Sequence, residues 1–314
     1  MIGIYKINHG LKEKLALTSN KKNFMKGIIL AGGSGTRLHP STISVSKQLL
    51  PVYDKPLIYY PLSNLLAAGI DDILIISTSD SIPLYKKLFQ DGSHLGIKIS
   101  YKKQDRPNGI AEAFIIGEEF IDNEDVALVL GDNIFYGNQV IDSINEHSDA
   151  ELEGAKIFAY KVPDPQRYGV VEFNKKNSVM SIEEKPESPK SNYAVTGLYV
   201  YDKEVCNLAK KLSPSSRNEL EITDLNNLYL NQNKLEVVLL DSGTAWLDAG
   251  TPDSLLEAAH FVQTIQNRQL IQIGCLEEIS FRKGFINKDQ FKKLAINAPK
   301  NKYGEYLRGL INFI

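Results

Sequence analysis

From Met25 onward the chain alternates short apolar runs with stretches of helical periodicity. Lys26–Ala31 (KGIILA) is a buried-strand run that opens straight into a glycine loop. Asp72–Ser77 (DILIIS) and Val126–Leu130 (VALVL) are two more such runs, and Ile97–Lys102 (IKISYK) alternates as an edge or half-buried strand does. A helical stretch, Leu57–Ala68, precedes the second run. Strands alternating with helices predict βαβ units and a mostly parallel sheet. The right-handed crossover rule then gathers the loops after the strands at one sheet edge, where ligands bind. The middle of the chain is richer in strands: Ala155–Lys161, Gly169–Phe173, Val179–Glu183 and Ala194–Tyr201 alternate and are split by Pro, Asp and Asn turns. Ser213–Arg217 reads as a loop, Ile222–Leu230 as a helix and Leu235–Asp241 as a strand. After Thr251 the pattern is helical, with Asp253 as the expected cap of a helix over Ser254–Arg268, and with further segments at Ile286–Ile296 and Lys302–Ile311. No internal repeat and no long Pro/Gly/Ser linker divides the chain, so one compact unit with a helical tail is expected.

Composition narrows the function classes. The 314 residues carry 36 Lys+Arg against 38 Asp+Glu, a net charge of −2, which supplies no field for nucleic acid or an anionic membrane. The longest stretch without charge, Pro56–Ile70, is too short to span a bilayer. Two cysteines, Cys206 and Cys275, make neither a disulfide scaffold nor a zinc site, and a reducing cytoplasm is the expected compartment. Residues 1–24 differ from the rest, with Lys6, Lys12, Lys14, Lys21 and Lys22 against Glu13 alone. They read as a basic, disordered extension, or as the result of a start placed upstream of the true one.

The candidate chemistry begins at the glycine loop. Gly32-Gly33-Ser34-Gly35-Thr36-Arg37 follows the first strand, and consecutive backbone N–H groups of such a loop can cradle phosphate oxygens. Arg37 and Lys47 add cations close by. The loop lacks the Gly-Lys-Ser/Thr ending of a P-loop. It has Leu38 where a dinucleotide fingerprint needs a third glycine. Thr36 stands where a serine nucleophile elbow needs glycine. Asp132 directly follows an apolar strand, and Asp248 lies in a second short strand-then-loop motif, Trp246–Thr251. An Asp after a strand either caps the next turn or serves a site, and the residues alone leave both open. The histidines are scattered, and His39 beside the loop reads as a surface or structural residue.

Leu30–Pro51 (LAGGSGTRLHPSTISVSKQLLP) resembles the signature of the sugar-phosphate nucleotidyltransferases. Lys47–Leu65 (KQLLPVYDKPLIYYPLSNL) is similar to the thymidylyltransferase branch of that family. The likeness runs from about Met25 to the C-terminus through VLGDN (129–133), RYGVVEF (167–173), EEKP (183–186), KSNYAVTGLY (190–199), ELEITD (219–224) and WLDAGT (246–251). It implies a three-layer α/β/α, Rossmann-like fold with a mixed, mostly parallel sheet. A nucleotide-binding part would cover about 25–140, a sugar-binding part about 155–252, and a helical segment 253–314. The activity implied is attack by the phosphate of glucose 1-phosphate on the α-phosphorus of dTTP, with Mg²⁺ as cofactor. Asp132 and Asp248 would hold the metal, Arg37 would face the leaving pyrophosphate, and Lys185 would hold the sugar phosphate, extended by Pro186 after it. Leu30, Gly32, Gly33, Lys47, Gln48, Gln104 and Gly109 would contact the nucleotide; Tyr168, Gly169, Glu184 and Val195 the sugar. A homotetramer is implied, with no nucleic acid or membrane partner. The sequence departs from the family at QDRPNG (104–109), where Gln104, Pro107 and Gly109 are kept but Asp105, Arg106 and Asn108 are not the usual residues. It departs again at Ser242, where relatives carry a basic residue tied to feedback inhibition. UTP in place of dTTP and a catalytically silent subunit are the alternatives; retention of Arg37, Lys47, Asp132, Lys185 and Asp248 weighs against the second.

Overall fold

The computed structural model describes residues 25–33, 35–146, 152–175 and 178–313. The expectation for residues 1–24 lies outside the described residues. The apolar runs assemble into one nine-stranded sheet. At its middle lies β1 (Lys26–Leu30). A small separate hairpin follows, β2 (Pro51–Val52) with β3 (Lys55–Pro56). Parallel to β1 run β4 (Asp72–Ser77) on one side and, on the other, β6 (Val126–Leu130); β5 (Lys98–Lys103) extends the sheet beyond β4. These strands are apolar on both faces because helices cover both. Ile29, Ile73, Ile75 and Val129 share one core with Leu62, Leu65 and Leu66 of helix Tyr59–Ala67 and with Tyr85 and Phe89 of helix Ile82–Phe89. Ile28, Leu74, Ile76 and Leu128 share the opposite core with Phe114, Val205, Leu225 and Tyr229. The result is the three-layer arrangement with a mixed sheet.

The second half of the sheet is organised by β11 (Tyr193–Tyr201). One of its edges pairs with antiparallel β8 (Ala155–Lys161) at Tyr193–Val195 and again at Tyr199–Tyr201, with a shift of register between, and β12 (Leu235–Leu239) lies parallel beside β8. The other edge is divided. Leu198–Tyr201 pair with β6, whereas Ala194 pairs with Val170 of β9 (Gly169–Phe173), the hairpin partner of β10 (Val179–Glu184). The sheet therefore forks at Thr196–Gly197. Into the fork projects a two-stranded unit in which the expected short strand at Trp246, β13 (Ala245–Asp248), pairs with β7 (Asn133–Tyr136), a strand that the hydrophobic pattern does not reveal, and Asp248 lies opposite Asn133.

The C-terminal helices are present with one correction and one addition. The long helix Pro252–Gln269 is capped by Thr251, not Asp253: Thr251 Oγ1 accepts from the Ser254 amide at 3.2 Å and the Ser254 hydroxyl accepts from the Thr251 amide at 3.0 Å. This reciprocal capping box places Pro252 at the first helical position, where its missing N–H costs nothing. A helix at Leu276–Arg282 is added; its sequence, LEEISFR, is too short and too charged to show an apolar stripe. Helices Lys288–Asn297 and Lys302–Leu310 pack through Phe291, Ala295 and Leu307. Among the described residues, no helix is long and apolar enough to cross a membrane.

Candidate active site

Leu30, Gly32, Gly33, Lys47, Gln48, Gln104 and Gly109 all line one cavity of 190 Å³ at the C-terminal ends of β1 and β5. Gly33 has φ +100° and nothing within 4 Å of where a Cβ would stand, so glycine is needed there for the backbone alone. Gln48 lies beneath the loop, 2 % exposed, donating to the Gly32 carbonyl at 3.3 Å and accepting from the Ser46 hydroxyl at 2.7 Å. Both ends of this amide hold the loop. Gln104 donates from Nε2 to Glu112 at 2.7 Å and to the Gly109 carbonyl at 3.2 Å. A carboxylate only accepts, so Glu112 fixes the amide with its nitrogen inward and its oxygen toward Gly32, where a Cβ would come within 3.2 Å of it. Gly109, at φ +108°, leaves room for the Leu220 carbonyl oxygen, which a Cβ would meet at 2.2 Å.

A second cavity of 510 Å³ opens in the fork of the sheet and is lined by Tyr168, Gly169, Glu184, Lys185 and Val195, together with Arg37, Asp132 and Asp248. Ile110, Leu130, Asp132 and Glu219 belong to both cavities, so the two share one wall. Glu184 accepts from the Thr223 hydroxyl at 2.6 Å and from Arg217 at 3.3 Å, with Lys185 Nζ at 3.4 Å. Tyr168 packs edge-on against Trp246, 5.2 Å between ring centres. Lys185 is not extended: it has φ +46°, a left-handed conformation that Pro186 disfavours. Its amide donates to the Tyr168 carbonyl at 3.0 Å, and this bond across the end of the β9–β10 hairpin overrides the local preference.

The two acids meet at the shared wall. Asp132 ends the β6 turn, and the β7–β13 pairing brings Asp248 beside its neighbour Asn133. Asp132 Oδ2 accepts from Lys47 Nζ, and Oδ1 accepts from Asn133 Nδ2 at 3.0 Å. Burial acts to raise Asp132, but the charge and hydrogen bond of Lys47 hold it below the usual carboxylate range. Burial pushes Asp248 up to about 6; the Asp132 charge adds to this, against the lowering pull of Lys47, Arg37 and Arg167. Its nearest cation in an ion pair is Arg167, at 4.0 Å. Among the described residues, no group of three or more His, Cys, Asp or Glu side chains is gathered for a metal. Two oxygen-donor carboxylates facing a phosphate-sized cavity, one of them short of donors, nonetheless suit a hard divalent cation that takes its remaining ligands from substrate and water.

Four residues at this site are given no role by the sequence alone. Asn133, 2 % exposed, accepts from the Gly197 amide at 3.0 Å and from the Trp246 indole at 2.6 Å while donating to Asp132. Arg167 lies against Asp248 and the Tyr168 ring. Arg217 and Thr223 orient Glu184. Asn133, Arg167 and Thr223 stand within the matched segments VLGDN, RYGVVEF and ELEITD, and Arg217 alone lies outside them; what each holds, Gly197 and Trp246, Asp248, and Glu184, is distant in sequence. His39 is exposed.

Residues 26–265 match the nucleotidyl transferase family model. The chain is 57 % identical over 287 residues to a glucose-1-phosphate thymidylyltransferase of Neisseria meningitidis serogroup A, covering 91 % of this chain and 99 % of that protein. It is 54 % identical to the one from Mycolicibacterium smegmatis, over 92 % of this chain and 99 % of that one. A candidate glucose-1-phosphate thymidylyltransferase of Bacillus anthracis, solved with sucrose, superimposes with a TM-score of 0.70 at 41 % identity, covering 76 % of this chain and 94 % of that one. A UDP-glucose pyrophosphorylase with UDP-glucose bound shares the fold, with a TM-score of 0.66 at 22 % identity. The chain belongs to the nucleotidyl transferase family. Within it, the chain falls among the glucose-1-phosphate thymidylyltransferases.

Proposed function

We propose that the chain joins dTTP to α-D-glucose 1-phosphate, forming dTDP-glucose and releasing pyrophosphate. The observation that carries this reading is the pair of cavities with a common acidic wall: a glycine-loop cavity sized for a nucleotide end and a hydroxyl-recognising cavity meet at Asp132. The sugar phosphate attacks the α-phosphorus in line and is already anionic, so no general base is needed and catalysis is positioning plus charge compensation. Arg37, which lines the second cavity near Asp248, would neutralise the leaving pyrophosphate from that side of the shared wall; Lys185 holds the sugar phosphate, and Lys47 adds a cation in the nucleotide half. Asp132 and Asp248 would hold Mg²⁺, which supplies charge neutralisation on phosphate oxygens when bound. Glu184, held by Thr223 and Arg217, accepts from sugar hydroxyls; Tyr168, Gly169 and Val195 complete the sugar pocket.

The fixed Gln104 amide bears on the base. Its nitrogen is engaged by Glu112, leaving an acceptor oxygen. An acceptor meets the N3–H of thymine or uracil and repels the N3 lone pair of cytosine. Residues 25–252 form the catalytic core in this reading, and 253–314 a helical tail. The expected assembly is a homotetramer in the cytoplasm, consistent with Cys206 and Cys275 both being free, and light scattering measures its mass.

Pyrophosphate release from glucose 1-phosphate with Mg²⁺, comparing dTTP, UTP, CTP, ATP and GTP, tests the whole reading. Release is expected to be highest with dTTP and several-fold lower with UTP, because one methyl is worth about 1 kcal/mol. CTP should be near background. UTP in first place would move the enzyme to the uridylyl branch, and silence with every nucleotide would favour a non-catalytic subunit.

A further inference from the structure

We propose that Lys47 and the divalent cation compete for Asp132, so that metal binding drives the Lys47 ammonium off that carboxylate and into the nucleotide cavity. The inference rests on the metal reading above and deepens it. Both Asp132 oxygens are engaged: Oδ2 by Lys47 Nζ, Oδ1 by Asn133 Nδ2. Each oxygen keeps a second lone pair, but an ammonium on Oδ2 repels an arriving dication and takes up the charge that would hold it, so the cation binds in full only as one of the two partners withdraws. Asn133 cannot yield, because its own Oδ1 is pinned by the Gly197 amide and the Trp246 indole, at 3.0 and 2.6 Å. Lys47 can. Its ammonium ends a flexible four-carbon stem, and it stands in the wall of the cavity that also holds Gly32 and Gly33. Once displaced, it has a cavity before it whose loop amides are suited to phosphate oxygens. The Lys47–Asp132 pair is shielded, each side chain 14 % exposed, so the competition takes place where charge is poorly screened. The exchange links two events: without nucleotide, Lys47 and metal oppose each other at Asp132; with triphosphate present, the phosphates give Lys47 a second partner and the opposition relaxes.

Mn²⁺ binding to nucleotide-free protein, read by electron paramagnetic resonance and calorimetry, tests this on the wild type, Lys47→Met, Lys47→Arg and Asp132→Asn. Lys47→Met should bind Mn²⁺ roughly tenfold more tightly or better, because it leaves Asp132 a buried, uncompensated charge. Lys47→Arg should stay near wild type, and Asp132→Asn should lose the site. Equal or weaker binding in Lys47→Met, with binding lost in Asp132→Asn, overturns the competition and leaves the metal site standing. Unchanged binding in Asp132→Asn overturns the metal assignment itself. Reductive methylation of the wild type gives a second measurement that no substitution can unfold. Lys47 should label slowly without divalent cation and faster with Mg²⁺; equal rates overturn the proposal.

Discussion

Asp248 is held at the site against the preference of its own charge. Its folded value of about 6 stands above the ordinary 3.8, so its contribution to stability is fully present in acid below 3.8 and is lost as pH rises through about 6. Asp248→Asn should therefore stabilise the protein by on the order of 2 kcal/mol at neutral to alkaline pH, and by little below the ordinary carboxylate range. The same substitution should nearly abolish turnover. Thermal melts across pH, paired with pyrophosphate release, check both; a wild-type rate would remove Asp248 from the site. Lys185 presents a second conflict of this kind. At φ +46° a side chain with a Cβ is strained, so Lys185→Gly should be more stable than Lys185→Ala by about 1 kcal/mol. Both should raise the KM for glucose 1-phosphate far more than that for dTTP. Equal melting temperatures would refute the strain, and an unchanged sugar KM the role. Neither conflict can be read locally. Asp248 owes its shift to burial and to Asp132, and Lys185 owes its conformation to the Tyr168 carbonyl.

Between elements, the 104–109 loop and the segment 213–221 are locked together. The Leu220 amide donates to the Asn108 carbonyl at 2.6 Å, the Ala111 amide donates to the Leu220 carbonyl at 3.2 Å, and Gly109 lets Leu220 approach. Arg217 of the same segment reaches Glu184. Gly109→Ala should thus weaken dTTP binding about tenfold or more, by strain and collision at once. It should also raise the sugar KM, through the displaced Arg217; an effect confined to dTTP would break this link. At the fork, Asn133 ties β7 to β11 and β13. Asn133→Ala should cost about 2–4 kcal/mol, by orphaning the Gly197 and Trp246 donors. Trp246 is the only tryptophan, so its fluorescence should shift to the red in that variant. An unmoved spectrum would contradict the hub. Elements with a one-dimensional signature were legible: β1, β4, β6 and β8 are apolar runs bounded by turn residues, and the glycine loop announces itself. The short strand at Trp246 was also legible, as β13, but β7 and its pairing with β13 were not, because four residues carry no period and the pairing spans more than a hundred positions. The cap falls two residues before the expected Asp253, because Pro252 is admitted at the first helical position behind Thr251.

For the whole molecule, the seven nucleotide-side residues carried over by resemblance fall in one cavity and the five sugar-side residues in another. The motifs named the residues that converge, but not what holds them. Glu112 behind Gln104, Arg217 and Thr223 behind Glu184, and Asn133 behind Asp132 become visible only when the sheet is assembled.

The forked sheet has a consequence for how such an enzyme can change. The nucleotide half and the sugar half are branches from one strand, β11, and not lobes on a tether. The trunk of β1, β6 and β11 carries the glycine loop and Asp132. One branch, the β9–β10 hairpin, pairs with the trunk at Ala194 and is held from the other side by the helix Ile222–Asn231, where Asn227 donates to the Ile182 carbonyl at 3.0 Å and Thr223 to Glu184 at 2.6 Å. It behaves as a graft. Exchanging that hairpin together with segment 213–221 replaces the surface that faces the hexose and leaves the glycine loop, Lys47 and both acids in place.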